Sequence, residues 1–357
     1  MLIDEQNPFL RIVFVRDVIQ GTRVPKSQRS GQLKYQRFAY ISSPYPWRLS
    51  SLPSKDVRKT ESEKVDKNLV IDGRTYEVQV MQKVSFGTEA PRLAVVSRQQ
   101  NGMGMGLVRT CIRGVQHFTP EPHELWVIDN NSPRENLSWL VEWPDVNIVL
   151  NRTEPLPQEA REATHAEPDP DNQLTWDSYA NAIGLEIAVR LIDPKSSHLM
   201  SLHMDTMPCR PGWLSYLRSK IKGNIRAAGV RMDKTRTSEG VLHVLGYMVD
   251  FQLFRELGLD YFPDLPRFDV GDRVTVRLRE AGYDVFACPN TLWEPDLAAK
   301  IPQGSPLREF GVDRAFDEDA HVIFMHLGRG VRKSIGIHTR GTMVEEWVRL
   351  ADGHLLV

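Results

Sequence analysis

Two aspartates stand just after short apolar segments that are typical of buried strands. Asp129 follows residues 124–128, and Asp205 lies three positions beyond residues 198–202. A carboxylate at the end of a strand can accept hydrogen bonds from a ribose or a base, or it can bind a hard divalent cation. A cation of this kind neutralises a diphosphate and stabilises it as a leaving group. The two aspartates therefore point to a metal and a nucleotide diphosphate; the alternative is that each only caps a turn.

His326 is a third candidate ligand, because it follows the strand-like residues 321–325. Neutral imidazole binds borderline metals such as Mn²⁺. Gly328 and Gly330 would let the backbone approach a phosphate, and nearby cations can pair with it. These cations are Arg329, Arg332 and Lys333. A buried strand-end histidine beside a solvated basic loop is the alternative.

Asp269 and Asp272 precede an amphipathic segment, residues 273–281, which ends at Gly282, a common helix stop. Carboxylates near the positive end of a helix dipole have a lowered pKa. Either aspartate would act as a base if it lay within hydrogen-bond distance of an acceptor hydroxyl. Asp-x-x-Asp before a helix is also the spacing of a capping arrangement, with Asp269 as the N-cap, so both interpretations stay open.

The elements that must position these side chains alternate along the chain from residue 91. We predict strands at 93–96, 124–128, 146–150, 198–202, 284–288 and 321–325, and helices at 106–118, after Pro133, at 174–192, from Pro211 and at 273–281. This alternation indicates an α/β fold whose central sheet is mostly parallel, with helices on both faces. Ligands bind at the carboxyl ends of the strands in such sheets.

The first 90 residues differ from the remainder in charge. They contain 15 Lys and Arg against 10 Asp and Glu, whereas residues 91–357 contain 30 against 36. Residues 34–41 are typical of a strand, 42–59 of a loop, and 68–84 of a β-hairpin around Asp72-Gly73. We therefore predict a basic, β-rich N-terminal extension at 1–90, whose charge either contacts phosphates or forms a solvated face.

The composition excludes several classes of protein. The chain has 357 residues, of which 41% are hydrophobic and 25% charged, so it is neither mainly disordered nor collagen-like. Its three widely spaced cysteines argue against a disulfide framework and a thiolate zinc site. We find no signal-like segment and no apolar run long enough for a transmembrane segment. We expect a cytoplasmic protein, with peripheral membrane contact as the alternative.

The order of these motifs resembles the GT-A glycosyltransferases, especially glycosyltransferase family 2, over residues 91–334. Residues 127–132 are similar to the strand-two motif of that family, 176–188 to the helix after its third strand, and 246–258 to its acceptor-side segment. Leu202-His203-Met204-Asp205 stands in the place of the DxD metal motif, with His203 instead of the first aspartate. Residues 268–283 resemble the acidic motif and its helix with a one-residue shift, and His326 corresponds to a late metal-binding histidine.

The resemblance implies a Rossmann-like GT-A domain at 91–335, with a nucleotide-sugar-binding half at 91–210, an acceptor half at 211–335 and a tail at 336–357. It implies an inverting transfer from a nucleotide diphosphate sugar, with a UDP-sugar as the expected donor, to a hydroxyl of a glycan or another acceptor, modified DNA included. Asp205 and His326 would bind Mn²⁺ or Mg²⁺, and Asp269 or Asp272 would be the catalytic base. The residues expected to bind the nucleotide sugar are Arg98, Asp129, Asn131, Asn181, His203, Arg329 and Arg332.

Two other functions stay open. A nucleotidyltransferase that makes sugar nucleotides has a similar start, although Arg98 and the glycine-rich residues 102–106 lack its signature lysine. A catalytically silent protein that binds a glycan or a nucleic acid would explain the altered DxD motif and the basic first 90 residues. The glycine-rich stretch itself either approaches the nucleotide or is a flexible loop. The HExxH, GxSxG, Walker A and GxGxxG motifs are absent from the sequence.

Overall fold

The computed structural model describes residues 58–59, 64–156, 176–232, 234, 240–264, 267–308 and 310–356. The strand predicted at 34–41 and most of the loop predicted at 42–59 lie outside these residues. The strands are β1 (Arg58–Lys59), β2 (Lys64–Ile71), β3 (Arg74–Met81), β4 (Val84–Ser85), β5 (Arg92–Ser97), β6 (Glu124–Asn130), β7 (Asn147–Asn151), β8 (His198–His203), β9 (Thr206–Pro208), β10 (Ile225–Arg231), β11 (Leu242–Asp250), β12 (Asp284–Cys288), β13 (Asp313–Phe316) and β14 (Val322–His326). The α-helices are α1 (Gly102–Phe118), α2 (Ser138–Glu142), α3 (Trp176–Leu191), α4 (Trp213–Lys220), α5 (Phe251–Glu256), α6 (Asp272–Glu280), α7 (Gly330–Ser334) and α8 (Val344–Leu350).

Nine of these strands form the central sheet, in the spatial order β12-β10-β11-β8-β5-β6-β7-β3-β2. The series from β8 to β7 is parallel throughout, and β10 is parallel to β12. β11 and β3 are antiparallel to both of their neighbours, so they alone run against the other strands of this sheet. The predicted α/β class with a mostly parallel sheet is confirmed.

Helices cover both faces of this sheet because its strands alternate between two hydrophobic cores. On β5, Leu93 and Val95 belong to one core and Ala94 to the other. α1 contributes to the first core, and α3 contributes to the second. A Cβ on Gly184 of α3 would lie 2.5 Å from Cγ1 of Val96, so the helix approaches β5 closely only because this residue is glycine. No helix among the described residues has the length and apolarity needed to cross a membrane.

β2 and β3 form the hairpin predicted around Asp72-Gly73. Asp72 has a φ of 48° and Gly73 a φ of 72°, the left-handed pair that a tight two-residue hairpin turn requires and that Asp-Gly favours. β3 also pairs with β7. This described part of the predicted N-terminal extension therefore continues the central sheet.

A second sheet has the order β13-β14-β9. Its register places Asp313 opposite His326, and His326 opposite Thr206. β9 begins only three residues after β8 ends. The end of β14 is thereby brought beside the turn that joins the two sheets, and this turn contains Asp205.

α1 begins four residues earlier than predicted. The Asn101 side chain caps the helix by accepting hydrogen bonds from the backbone N–H groups of Met103 and Gly104. Since an N-cap of this kind fixes the first turn, residues 102–106 are helical, and the flexible-loop alternative is wrong. The helix predicted to open at Pro211 begins instead at Trp213.

Candidate functional site

Three side chains meet where the two sheets join. His203 ends β8, Asp205 lies in the turn before β9, and His326 ends β14. One possible ligand atom from each residue lies within 4.8 Å of those from the other two. Asp205 and His326 are buried, with 4% and 8% of their surface exposed. Two imidazoles and one carboxylate form a donor set that suits a borderline divalent metal, and we call this cluster the metal centre.

The geometry around His326 tests whether a metal would fit. Asp205 Oδ1 is 3.4 Å from His326 Nε2, and Asp313 Oδ2 is 3.6 Å from His326 Nδ1. Within the described part of the chain, neither buried ring nitrogen has a hydrogen-bond partner, although buried polar atoms ordinarily do. Metal–ligand bonds of about 2.0–2.2 Å separate adjacent ligand atoms by about 3.0–3.5 Å. The spacing of Asp205 Oδ1 and His326 Nε2 therefore fits a shared cation.

Burial and charge oppose each other at this centre. Burial raises the pKa of the Asp205 carboxyl, but the positive charge of His326, together with His203 and the Gly330 N–H, holds it well below its usual range. Burial lowers the pKa of His326, but Asp205 and Asp313 outweigh burial and raise it to about 9. Without a metal, His326 is therefore an imidazolium that a cation would have to deprotonate.

The loop after β14 holds the Asp205 carboxylate in place. The Gly330 N–H donates to Asp205 Oδ2 at 2.9 Å, and the Leu327 N–H donates to the Asp205 carbonyl oxygen at 3.0 Å. A Cβ on residue 330 would lie 2.7 Å from both Cβ and Oδ2 of Asp205. Only glycine at this position allows the backbone to lie against the carboxylate.

His203 is oriented by two further polar residues. Asn181 of α3 places its Nδ2 3.1 Å from His203 Nε2. The ring centres of His243 and His326 each lie 5.4 Å from that of His203. Sequence reasoning missed His243 and Asp313, because their places follow from the pairing of β11 with β8 and of β13 with β14. No local pattern in the sequence shows either pairing.

Asp129 lies at the carboxyl end of β6 and is fully buried. Its carboxylate accepts hydrogen bonds from the Ser132 backbone N–H at 3.1 Å and from the Ser132 hydroxyl. Burial raises the pKa of Asp129 to about 6, against the lowering effect of those two hydrogen bonds. Both of these hydrogen bonds hold the turn from Asp129 to Ser132, as the turn-capping alternative expects.

A carboxylate bridges the ends of three adjacent parallel strands near Asp129. Glu154 follows β7, and its Oε2 lies 3.4 Å from Asn131 Nδ2, after β6, and 3.8 Å from Arg98 Nη2, after β5. Arg98 and Glu154 are partly exposed, with 30% and 28% of their side chains accessible. The structure thus brings two of the expected nucleotide-sugar residues together through Glu154, which no sequence motif indicated.

Asp269 and Asp272 lie at the start of α6 and are buried. Asp272 Oδ2 accepts a hydrogen bond from the Asp269 N–H at 2.9 Å, as in a capping arrangement. However, the N-cap is Gly271, with a φ of 73°, so the expectation that Asp269 would be the N-cap is wrong. α6 is linked to the metal centre through β11, because Thr275 Oγ1 accepts from the N–H of Leu242, the residue before His243.

The three cations after His326 have different surroundings. Arg332 donates to Asp177 Oδ2 on α3 at 3.0 and 3.2 Å. Arg329 has a left-handed φ of 58°, and its Nη1 lies 3.4 Å from His338 Nδ1. Lys333 is buried and donates to the Leu327 carbonyl oxygen at 3.2 Å. Burial lowers the pKa of Lys333, and the charges of Asp205 and Asp313 oppose this shift, which indicates that its ammonium faces the metal centre.

No protein-family model matches the chain, and a search of curated proteins found no match. Among solved structures, a mannosyltransferase from Pyrobaculum calidifontis in complex with GDP-Man and Mn²⁺ is 15% identical, with a TM-score of 0.40; the match covers 75% of this chain and 70% of that one. The galactosyltransferase LgtC in complex with donor and acceptor sugar analogues is 12% identical, with a TM-score of 0.43 and coverage of 74% and 96%. A Drosophila beta-1,4-galactosyltransferase 7 mutant in complex with manganese, UDP-Gal and xylobiose is 10% identical, with a TM-score of 0.32 and coverage of 73% and 80%. All three of these proteins are glycosyltransferases.

Proposed function

We propose that this protein is an inverting GT-A-type glycosyltransferase, which moves a sugar from a nucleotide diphosphate sugar to an acceptor hydroxyl. The observation that carries the proposal is the metal centre of His203, Asp205 and His326 at the carboxyl edge of the parallel sheet. Ligands of α/β sheets bind at this edge. The 3.4 Å spacing of Asp205 Oδ1 and His326 Nε2, which fits two ligands of one ion, supports a cation there.

Asp205 and His326 would hold the cation, with His203 as a third ligand. Two imidazoles favour Mn²⁺ over Mg²⁺, since Mg²⁺ prefers oxygen ligands and keeps several waters. When bound, the cation would neutralise the diphosphate and so stabilise the departing nucleotide. Gly330 and Asn181 fix the orientations of Asp205 and His203, and such supporting contacts are important for metal affinity.

The chain's own cations would assist at the diphosphate. The Lys333 ammonium faces Asp205 and Asp313, and Arg329 stands one residue before Gly330, which touches Asp205. Arg332 is bound to Asp177, so it would contact phosphate only if that exposed ion pair opened. Fixed positive groups of this kind stabilise negative charge as it develops on a leaving group.

The nucleoside would lie across the carboxyl ends of β5, β6 and β7. Arg98, Asn131 and Glu154 are partly exposed there and carry donors and acceptors for a base or a ribose. Asp129 shapes the turn below them through Ser132. The exposed edge of the site is therefore polar, as recognition of a nucleoside requires.

The catalytic base would be Asp269 or Asp272. It would remove the acceptor hydroxyl proton while the oxygen attacks the anomeric carbon on the face opposite the departing diphosphate, so the configuration inverts. α6 is hydrogen-bonded to Leu242 of β11, whose neighbour His243 lies beside His203, so adjoining elements carry the candidate base and the metal centre. A positioned carboxylate base contributes roughly 10²–10⁴-fold to such a reaction.

The test is thermal unfolding and calorimetry with UDP and with GDP, each with and without Mn²⁺, followed by a screen for hydrolysis of nucleotide sugars. We expect stabilisation that requires nucleotide and Mn²⁺ together, since a ligand that binds only the folded state raises its stability. His326→Ala should abolish it. The matched control is His117→Ala, because His117 is an exposed histidine at the C-terminal end of α1 and belongs to neither group of possible metal ligands among the described residues.

Two results would contradict the proposal. One is the absence of any metal-dependent stabilisation with both nucleotides. The other is the release of pyrophosphate from a nucleoside triphosphate and a sugar phosphate, which would indicate a nucleotidyltransferase.

A further inference from the structure

Exposed aliphatic side chains are concentrated beside the metal centre. Ile337 is 68% exposed, and Ile335 and Met103 are each 40% exposed. Asn101 Nδ2 donates to the Ser334 carbonyl oxygen at 2.7 Å, which fixes the first turn of α1 against the end of α7. Met103 and Ile335 therefore belong to one surface, which we call the aliphatic surface together with Ile337. Single exposed aliphatic residues are common, but a cluster of them indicates a binding surface.

Positive charge surrounds the aliphatic surface. Residues 328–343 contain four Lys and Arg and no Asp or Glu. Arg329 Nη1 lies 3.4 Å from Nδ1 of His338, which stands two residues before Arg340. Burial lowers the pKa of His338, and the charges of Arg329, Lys333, Arg340 and Arg332 lower it further, in agreement with this placement. Arg340 itself is exposed. Arg332 pairs with Asp177, and Lys333 is buried near Asp205 and Asp313, so it is Arg329 and Arg340 that present exposed positive charge here.

We propose that the aliphatic surface binds a lipid bilayer that contains anionic lipids, with Arg340 at its rim. Isoleucine and methionine side chains enter the boundary between headgroups and acyl chains, and Arg side chains are attracted to anionic headgroups. A single-stranded nucleic acid would instead require aromatic side chains on which bases stack. Residues 328–343 contain no Phe, Tyr or Trp. The combination of aliphatic tips and a cationic rim favours the bilayer.

This contact would hold the metal centre close to the membrane. α7 begins at Gly330, which touches Asp205, and ends one residue before Ile335. An acceptor embedded in the bilayer would then reach the centre without the protein leaving the surface. The binding itself does not depend on the proposed transfer reaction, so it can be tested separately.

The experiment is co-sedimentation of the full chain with vesicles of phosphatidylcholine alone and with vesicles of equal parts phosphatidylcholine and phosphatidylglycerol. We expect binding to the mixed vesicles that weakens with added salt. Ile337→Ser should weaken it by about tenfold, because the variant loses the transfer of an aliphatic side chain into the lipid. Arg340→Gln should weaken it by about fivefold, as expected for one cation at an anionic surface. The control is Val70→Ser, because Val70 on β2 is 66% exposed and lies outside the aliphatic surface.

Three outcomes would overturn the proposal. The first is that the unmodified chain does not bind mixed vesicles. The second is that Ile337→Ser and Arg340→Gln bind as well as the unmodified chain, or that Val70→Ser is as impaired as they are. The third is that the chain binds single-stranded DNA and no vesicle. Thermal unfolding of each variant checks that it is folded, and we expect no change because each replaced side chain is exposed.

Discussion

Gly330→Ala tests the metal centre without removing a ligand. Gly330 does not have the left-handed φ that penalises alanine. The new methyl group would lie 2.7 Å from Cβ and Oδ2 of Asp205, whereas ordinary van der Waals contact begins at 3.4 Å. The carboxylate or the loop must therefore move by about 0.7 Å to reach ordinary contact distances. The substitution thus acts on Asp205 through packing.

The expected loss of Mn²⁺ affinity follows from the narrow range of ligand distances that a metal site tolerates. Ligand distances in such sites hold within about 0.2 Å, so a shift of about 0.7 Å removes Asp205 from its place. Changes in the residues that orient a ligand usually cost about 10–100-fold in metal affinity, and we expect the upper part of that range. The same shift disturbs the 2.9 Å hydrogen bond from the N–H of residue 330 to Asp205 Oδ2.

Isothermal titration with Mn²⁺ measures the affinity, and thermal unfolding in a chelator measures the stability of the fold. Gly106→Ala is the control. Gly106 lies in α1, and a Cβ at this position would contact Val348 Cγ2 of α8 at an ordinary 3.4 Å. The reasoning is refuted if Gly330→Ala binds Mn²⁺ as tightly as the unmodified chain. It is also refuted if Gly106→Ala loses as much affinity.

Three further predictions concern protons, the base and packing. Mn²⁺ affinity should rise by about tenfold per pH unit as the pH rises toward 9 and then level off, because His326 has a raised pKa of about 9 and must lose its proton. Titrations at several pH values in the unmodified chain and in His117→Ala measure this, and a flat profile below pH 9 would contradict it. Asp269→Asn or Asp272→Asn should lower the rate of sugar transfer by about 10²–10⁴-fold while nucleotide binding persists. A steady-state transfer assay measures this rate, and if both variants keep the full rate, neither residue is the base. Gly184→Ala should lower the free energy of unfolding by about 1–3 kcal/mol, because its Cβ would lie 2.5 Å from Val96 Cγ1. Urea denaturation of this variant and of Gly106→Ala measures the difference. Equal stabilities of the two variants would show that α3 can move away from β5 at little cost.

The parallel part of the sheet was predictable because its strands are short apolar runs with clear breaks. The predicted positions of β5, β6, β7 and β8 agree with the structure to within one or two residues at each end. β11 was not predicted, because Leu242–Asp250 is buried on both faces. A continuous apolar run of this kind lacks the alternation that distinguishes a strand from a buried helix.

The candidate ligands were predictable only as separate strand ends. Asp205 and His326 are 121 positions apart, and the pairing of β9 with β14 is what joins them. The sequence indicated Asp205 and His326 through residue type and position. It did not indicate Asp313, His243 or Glu154, since each gains its place from a strand pairing or a loop path that local patterns do not contain. The roles proposed for Asp129, Asp269 and Asp272 stay predictions.

The small sheet of β13, β14 and β9 has a consequence for how this protein acquires activity during synthesis. β9 can pair with β14 only after the ribosome has released the residues up to His326, because both strands must be free before the loop between them can close. A nascent chain that ends before His326 would lack both His326 and Gly330, the residues that contact the Asp205 carboxylate. We therefore expect the emergence of β14 from the ribosome to be the step that completes the metal centre, and products terminated before it to be unable to compete for manganese.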